Sequence, residues 1–517
     1  MESPFVSPAP EVRLVNSFAR PFDNAVATAR TCYSGKGIIT EDDVAANPEQ
    51  RDRIALSTYA AGHHTTLQHA HVQFALSNVS RQFLWSFLHA HPFYNSEQVS
   101  QRYVEVKPGR TAIPRLAPEA RAVYERTIET QHTAYKRLIE LLTPPAAREY
   151  YRVFPARKKT NRYDKDVKKK AQEIARYVLP VATFAYLYHT ISVITLLRYF
   201  RMCQQPDAAA ETRFVVDRMI AELLRVDPQF DKLLERPIPE EDTLEARAYA
   251  ARPSGQGAAA AFVREFDRDL GGRTSKLVDW KARNEPMLAD AVREVLGLPR
   301  AAMDDEDAIR LALDPAKNPY LGEAMTLTTL SKVSRAMAHA SYTFKKRLSH
   351  TADSQDQRHR MTPASRPILL AHLVDEPDYV SPALLQHTAP ARLVFEETMA
   401  RTWEGIARLR ALGAPDEWVA YLLPNGATVR FSESADLLHL HHKLKSRLCY
   451  NAQEEIWRAS LEEARQIREV NPVIGRYLLP PCGVRLLGGQ RPICPEGDRY
   501  CGVPVWKLDI EQYARVI

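Results

Sequence analysis

The sequence has little cysteine and little glycine. Six cysteines in 517 residues are too few for a disulfide framework, so the fold must rest on its hydrophobic core. The 19 glycines form neither a G-x-G-x-x-G fingerprint nor a Walker A loop. A nucleotide site built on a glycine-rich loop is therefore excluded as the main device of this protein.

Long apolar runs and a strong charge surplus are also missing. No window approaches 18 uncharged apolar residues, and the start at Met1 has no basic region followed by an apolar one, so we expect a cytoplasmic protein without a membrane partner. The net charge of +7 suits anionic small molecules as well as nucleic acid. The chain length corresponds to roughly three domains.

The chain repeats itself. An apolar strand, a proline and an alanine-rich helix occupy 12–30, and the same pattern returns at 274–293. His69 before an aromatic strand matches His339, and a Leu-Pro step before an apolar helix occurs at both Pro180 and Pro424. Three ordered matches predict a tandem duplication of the α+β class. We predict copies at 10–215 and 274–480, a helical linker at 216–273 and a cysteine-containing tail at 481–517.

Two short segments carry candidate anion-binding groups. Ser100 and Arg102 lie two residues apart after a predicted helix, where a hydroxyl and a forked guanidinium can reach one phosphate. Arg358, His359 and Arg360 form a dense cationic site suited to a pyrophosphate or an electron-rich ring system. The alternatives are a polar loop with a surface arginine and a solvated basic turn.

The ordered motifs resemble those of the flavin-dependent thymidylate synthase family, in a tandem two-copy form. The matching segments are Gly62-His63-His64-Thr65-Thr66-Leu67-Gln68-His69, Ser100-Gln101-Arg102-Tyr103, Arg358-His359-Arg360 and the stretch from Arg447 to Ile456. This resemblance implies FAD-dependent methylation of dUMP to dTMP, with methylenetetrahydrofolate and NADPH as co-substrates. It also implies a homodimer, in which two chains supply the four copies of a tetrameric family.

The two copies depart from the family pattern in complementary ways. Copy one has His89-Ala90-His91 where the family has Arg-His-Arg, and Ser86 where copy two has Gln355. Copy two loses the Ser-x-Arg-Tyr segment and has Ala420 where copy one has Arg176. The resemblance therefore implies one composite site built from both copies. The alternative is a catalytically decayed flavin- or nucleotide-binding protein of the same fold.

The resemblance assigns a role to each candidate residue of the composite site. Arg358 and Arg447 would be catalytic, because cationic groups stabilise negative charge developing on the uracil and flavin carbonyls. The substrate would be bound by Ser100, Arg102, Arg176 and Gln355, and the flavin by Arg358, His359, Arg360, His339 and His442.

Two further features are open. Cys482, Cys494 and Cys501 could hold zinc with a fourth ligand such as Cys449, although the spacing differs from a C-x2-C knuckle and free thiols are the alternative. The basic tract at 157–170 could contact nucleic acid. It has no known reader motif, so a solvated, mobile connection is the favoured interpretation.

Overall fold

The computed structural model describes residues 2–89, 93–252, 256–515 and 517, without the side chains of His89 and Gln256. Ala90 and His91, which stand where the family has part of its Arg-His-Arg segment, lie outside the described residues.

Two four-stranded antiparallel sheets have the same topology, with strand orders β1-β2-β4-β3 and β5-β6-β8-β7. The strands of the first sheet are β1 Glu11–Ser17, β2 His71–Ser80, β3 Tyr94–Gln98 and β4 Phe184–Ser192. Those of the second are β5 Ser275–Trp280, β6 Ser341–Ser349, β7 Ala364–Ser365 and β8 Thr428–Asp436. The repeated topology confirms the α+β class and the predicted tandem copies.

Helices lie between the strands in both copies, but their number differs, with three between β1 and β2 and two between β5 and β6. From the first copy to the end of the intervening region they are α1 Pro21–Thr31, α2 Glu41–Ala45, α3 Pro48–Ala60, α4 Arg81–His89, α5 Pro118–Val153, α6 Asp164–Ala175, α7 Val193–Arg201, α8 Ala209–Val226, α9 Leu244–Ala251 and α10 Gln256–Leu270. The remaining helices are α11 Asn284–Leu296, α12 Asp305–Leu313, α13 His350–Asp356, α14 Ala383–Gln386, α15 Ala389–Ala411, α16 Asp416–Ala420, α17 Leu437–Arg447, α18 Glu454–Val470, α19 Pro472–Gly475 and α20 Pro481–Leu487. No helix in the described part of the chain is long and apolar enough to cross a membrane.

The chain divides into two units whose bounds differ from the predicted ones. Unit 1 comprises Met1–His132, Leu179–Ser254 and Arg401–Leu423, and unit 2 comprises Thr133–Val178, Gly255–Ala400 and Pro424–Ile517. Each unit thus contains the sheet of one copy together with a helical segment that belongs to the other copy in the sequence. The predicted bounds describe consecutive copies in the sequence, whereas each of these units also contains a segment of the other copy.

The first part of the predicted linker belongs to the core of unit 1. In α8, Val216, Met219, Ile220 and Leu223 are buried at helical spacing against the sheet, and Phe230 follows them into the same core. The region that begins at 216 is therefore a packed helix of copy one, because its apolar stripe needs the sheet to cover it.

The predicted tail likewise belongs to the core of unit 2. Val484, Val505, Ile510 and Tyr513 are buried in the same cluster as the strands and helices of copy two. These side chains remove apolar surface from water, so residues 481–517 complete the core of this unit.

Equivalent positions in the two copies are fixed by shared backbone hydrogen bonds. Val193 N donates to Ala70 O over 2.7 Å at the start of α7, and Leu437 N donates to Ala340 O over 2.8 Å at the start of α17. A bulge in β2 at Asn78, whose φ is 54°, makes this strand one residue longer than β6. Residue-by-residue comparison of the copies is therefore possible on both sides of this bulge.

Candidate active site

The Arg-His-Arg segment, which was predicted to be part of the site, follows shortly after α13. The Ser349 hydroxyl accepts a hydrogen bond from Ala352 N and begins this helix. The helix ends at Asp356, and the chain then turns, with His359 N donating to Asp356 O over 3.0 Å and Thr362 N donating to His359 O over 3.0 Å. The predicted Arg-His-Arg segment is therefore a turn fixed to the end of a buried helix.

Arg447 reaches this turn from the last turn of α17. Its Nη2 donates to the main-chain carbonyl of Gln355 over 2.7 Å. His442 lies on the same helix, and its ring centroid is 6.0 Å from that of His359. The structure thus brings together Arg447, His442, Gln355 and the Arg-His-Arg turn.

A segment of copy one completes this group within unit 2. Gln355 Nε2 donates to Gln453 Oε1 over 2.6 Å, and Gln453 Nε2 donates to the hydroxyl of Tyr177. The Tyr177 hydroxyl in turn donates to Glu455, which also accepts from the backbone N–H and the hydroxyl of Ser349. A chain of hydrogen bonds therefore connects the copy-two residue Gln355 to a tyrosine of copy one.

Arg176, the copy-one residue predicted to bind substrate, lies next to this chain. Its side chain is only 2% exposed, its Nε donates to Glu173 O, and its own carbonyl accepts from Asn425 Nδ2. Arg176 is therefore in the same unit as Gln355 and Arg447, although it comes from the other copy in the sequence.

The two imidazoles of the site are held neutral. Burial lowers the pKa of His359 well below its usual value, and the positive charges of Arg447 and Lys443 add to the effect. Burial and the charge of Lys445 lower the pKa of His442. The positive charge of this site is consequently carried by guanidinium groups, which stay protonated across the physiological pH range.

Three predicted residues lie elsewhere. His339 is exposed at the start of β6, the end opposite to α13, and a strand of this length spans roughly 25 Å. Ser100 and Arg102 belong to unit 1, where Arg102 N donates to Ser100 Oγ over 3.3 Å in the turn after β3. In unit 2, His339 thus lies beyond the end of β6 that is opposite to the Arg-His-Arg turn, and its assignment to the flavin stays a prediction.

The predicted zinc site is not supported. Among residues 2–89, 93–252, 256–515 and 517, no group of three or more histidine, cysteine or acidic side chains is arranged to hold a metal ion. Cys482 and Cys501 pack against the core of unit 2, and burial raises the pKa of Cys482 to about 12 and that of Cys449 to about 11. Burial is the largest cause of both shifts, and the neighbouring thiols Cys494 and Cys501 add to it.

The basic tract is partly fixed to the protein. The guanidinium of Arg157 lies 3.6 Å from the ring centroid of Phe154 and 4.8 Å from that of Tyr163, and it donates to the Tyr150 hydroxyl. These contacts indicate that Arg157 anchors a turn. They give no support to a nucleic-acid interface.

The sequence did not assign roles to Tyr177, Gln453 and Glu455, although the last two lie in a motif it identified. A comparison of the two copies could have identified these residues. Unit 1 repeats the arrangement with Ser80, Glu211 and Tyr421, since both Ser80 and the Tyr421 hydroxyl donate to Glu211. At the positions of Gln355 and Gln453, however, copy one has Ser86 and Ala209, so the two hydrogen-bonding glutamines are lost together.

Comparison with known proteins identifies the family. The family described as thymidylate synthase complementing protein matches residues 13–229 and 301–473, which is more than half of the chain and falls in both copies. The chain belongs to this family. It is a tandem two-copy member of the flavin-dependent thymidylate synthases, which are methyltransferase enzymes.

Curated relatives agree with the family assignment. The flavin-dependent thymidylate synthase of Clostridium tetani is 26% identical over 228 residues, covering 43% of this chain and 85% of that protein. That of Geobacter sulfurreducens is 31% identical over 169 residues, covering 32% of this chain and 70% of that protein.

A solved structure is more distant. The UMP/dUMP methylase PolB from Streptomyces cacaoi, bound with 5-Br dUMP, is 21% identical, with a TM-score of 0.29, and the match covers 44% of this chain and 95% of that one.

The donor set of unit 2 fits a flavin, the cofactor that the family implies. His442 Nδ1 is buried and has no hydrogen-bond partner among the described residues, so it can serve a bound ligand. Arg358, Arg360 and Arg447 supply cationic groups, which suit a pyrophosphate and an electron-rich ring system.

Proposed function

We propose that this chain methylates dUMP to dTMP with FAD as cofactor and with methylenetetrahydrofolate and NADPH as co-substrates. The hydrogen bond from Arg447 to the Gln355 carbonyl carries this proposal, because it joins the cationic helix end to the Arg-His-Arg turn. A bound flavin would supply the reducing equivalents that complete the methyl group.

The side chains of unit 2 would then bind and orient. Arg358 and Arg447 would stabilise negative charge as it develops on the carbonyl oxygens of uracil and flavin. His359, His442 and Arg360 would hold the flavin, with both imidazoles neutral because burial lowers their pKa. None of these groups has to move a proton for this role.

The substrate side of the site would combine residues of both copies. Within unit 2 we propose that Arg176, from copy one, and Gln355, from copy two, contact dUMP. The hydrogen-bonded pair Gln355–Gln453 and the contact of Gln453 with Tyr177 support this proposal, because they fix the two copies' segments to each other. We further propose that Ser100 and Arg102 bind the phosphate of dUMP.

The test is dTMP formation from dUMP, methylenetetrahydrofolate and NADPH, measured by mass spectrometry on protein stripped of flavin and then supplied with FAD. We expect product only when FAD is present, and none from the Arg358→Ala variant. Arg335→Ala, at an exposed position of the same unit, is the matched control and should keep the wild-type rate. Flavin-loaded wild-type protein that forms no dTMP would replace this proposal with the decayed binding protein.

The expected quaternary structure is a homodimer. Static light scattering should then give about twice the chain mass of 58.7 kDa, at concentrations where the enzyme is assayed. A monomer that is fully active would contradict this part of the proposal.

A further inference from the structure

Unit 2 contains a buried cluster of five charged side chains next to the candidate site. The cluster consists of Lys346 on β6, Asp356 at the end of α13, Glu433 on β8, Lys443 on α17 and Glu463 on α18, each at most 1% exposed. We call these five residues the charge cluster. Five different helices and strands of unit 2 therefore contact one another through charged side chains at a buried position where apolar side chains are usual.

The two lysines hold the three carboxylates together. Lys346 Nζ lies 2.7 Å from Asp356 Oδ2, 3.0 Å from Glu463 Oε1 and 3.4 Å from Glu433 Oε1. Lys443 Nζ lies 3.0 Å from Asp356 Oδ2 and also contacts Glu433 Oε1. Asp356 and Glu433 are thus each contacted by both lysines, and Asp356 is the one of the two that ends α13.

The charge cluster is connected to the Arg-His-Arg turn on two sides. Asp356 ends α13, and its carbonyl accepts the hydrogen bond from His359 N that shapes the turn. Lys443 is on the same helix as Arg447 and four residues before it, so both side chains project from the same face of α17. An ion pair between Asp356 and Lys443 therefore clamps the base of the turn to the helix that carries Arg447.

Copy one fills the same positions without any acidic or lysine side chain. By strand register and helix starts, the counterparts of Lys346, Asp356, Glu433, Lys443 and Glu463 are Leu76, Phe87, His189, Tyr199 and Met219. Phe87, Tyr199 and His189 form a ring cluster, with Phe87 and Tyr199 centroids 4.4 Å apart and Phe87 and His189 centroids 5.3 Å apart. The fold can therefore be built around aromatic groups at this place.

Stability alone does not explain the charges. Burying ions costs several kcal/mol each, and replacing a buried ion group by well-packed apolar residues is often neutral or stabilising. In the charge cluster, moreover, Asp356 Oδ1, Glu433 Oε2 and Glu463 Oε2 are buried without a hydrogen-bond partner among the described residues. The charges occur in the copy that has the Arg-His-Arg segment and are absent from the copy that lacks it.

We propose that Asp356 and Lys443, held by the charge cluster, are positioning residues that fix the Arg358–Arg360 turn against Arg447 for flavin binding. This inference rests on the proposed function only in naming flavin as the ligand of the turn. The residues act through the turn and through Arg447.

The protonation of the cluster is consistent with this role. Burial opposes the charge of Lys346, but the carboxylates of Asp356, Glu433 and Glu463 outweigh it and raise the lysine pKa well above its usual value. Burial also opposes the charge of Asp356, but Lys346 and Lys443 hold its pKa well below the usual range. Burial raises the pKa of Glu433, although Lys346 and Lys443 act in the opposite direction.

The test converts the charge cluster of copy two into the residues of copy one. The five-fold variant carries Lys346→Leu, Asp356→Phe, Glu433→His, Lys443→Tyr and Glu463→Met. We expect a Tm equal to or above that of the wild type, at least tenfold weaker FAD binding by fluorescence titration, and at least tenfold faster hydrogen exchange of the amides at 357–362. Unchanged FAD affinity and exchange would overturn the proposal, and so would a loss of affinity that only accompanies a lower Tm.

A second variant covers the case in which the five-fold variant does not fold. Lys443→Met with Glu433→Gln removes one cation and one anion, so the net charge of the cluster does not change. The contacts of Lys443 with Asp356 and Glu433 and that of Lys346 with Glu433 are lost. This variant should still weaken FAD binding and loosen the turn. The control is Arg430→Met with Asp378→Asn, which likewise removes one cation and one anion from a group of ion pairs on β8, those with Asp267 and Arg347 included. It should leave the exchange at 357–362 unchanged. If the wild type binds no FAD, the proposed function fails, and the exchange measurement alone decides this inference.

Discussion

The guanidinium of Arg447 donates a hydrogen bond to the main-chain carbonyl of Gln355, with the two atoms 2.7 Å apart. Because the acceptor belongs to the backbone, the bond fixes the end of α13 whatever side chain occupies position 355. Arg447 therefore has a structural contact that can be separated from its proposed electrostatic role, and conservative substitution is the way to separate them.

Arg447→Lys should keep the positive charge but lose the planar fork of donors. We expect kcat/KM for dTMP formation to fall about 100-fold, the size typical of removing one donor to a developing oxyanion, while the Tm changes by only a few degrees. Initial rates and thermal unfolding of the same preparation check this. Arg476→Lys, in an exposed ion pair with Glu306, is the matched control, and an active Arg447→Lys enzyme would contradict the catalytic role.

The two glutamines lost from copy one offer a coupled test. Gln355→Ser and Gln453→Ala install the residues that copy one has at these positions, and each breaks the 2.6 Å hydrogen bond between them. We expect each single variant to raise the KM for dUMP, and the double variant to add little to the larger single effect, because interacting side chains are not additive. Steady-state kinetics of the four proteins gives the coupling, and full additivity would show that the pair does not act as one unit.

How far the sequence predicts this molecule depends on the range of the interaction. The strand and helix over 12–30 and 274–293 were predicted, because periodicity and a proline at the helix start are local signals. The exchange of segments between the copies was not predicted. Tyr177 and Tyr421 each stand three residues before the proline of a Leu-Pro step, so the sequence around them is too similar to distinguish their partners. The sequence does not indicate whether each tyrosine pairs with Glu211 or with Glu455.

The same limit applies to the site. The Arg-His-Arg segment and Arg447 were predicted by motif, and the structure brings them together. The charge cluster was missed because its members are distributed from Lys346 to Glu463, and each of them alone looks like a surface residue of an amphipathic element. Only the sheet register of β6 and β8 reveals that they face one another.

Ser100 and Arg102 should affect substrate binding more than turnover. Ser100→Ala with Arg102→Ala removes a hydroxyl and a guanidinium that we propose bind phosphate, a group that does not react. We expect the KM for dUMP to rise at least tenfold with little change in kcat at saturation. Arg115→Ala, also in unit 1 and half exposed, serves as the comparison. A fall in kcat with an unchanged KM would assign these residues to the chemical step instead.

The two buried tyrosines should separate stability from function. Tyr177→Phe and Tyr421→Phe each remove a hydroxyl that donates to a buried glutamate, Glu455 or Glu211. Loss of such a donor should destabilise each variant by about 1–3 kcal/mol, measured by denaturant unfolding. Only Tyr177→Phe should also raise the KM for dUMP, because Tyr177 alone contacts Gln453. Equal kinetic effects of both variants would contradict the assignment of the site to unit 2.

Unit 1 should lose stability as the pH rises towards 8. Burial raises the pKa of Glu417 to about 8 and that of Glu211 to about 7, although both accept hydrogen bonds. The folded state therefore binds more protons than the unfolded state between the ordinary glutamate pKa and these values. Stability contributed by the protonated groups is present at low pH and is lost as the pH rises through 7 and 8.

Glu417→Gln isolates this effect, because an amide keeps an oxygen for the N–H of Ala210 and does not ionise. Thermal unfolding is measured from pH 5 to pH 8, and hydrogen-exchange protection of the α8 amides reports on unit 1. The stability of unit 1 should fall less with rising pH in this variant than in the wild type. Glu119→Gln, on the exposed face of α5, is the control and should show the same loss of stability with rising pH as the wild type. The contrary outcome is that unit 1 of the wild type is equally stable at pH 5 and pH 8. Glu417 and Glu211 would then have ordinary pKa values despite their burial, because water reaches them in solution.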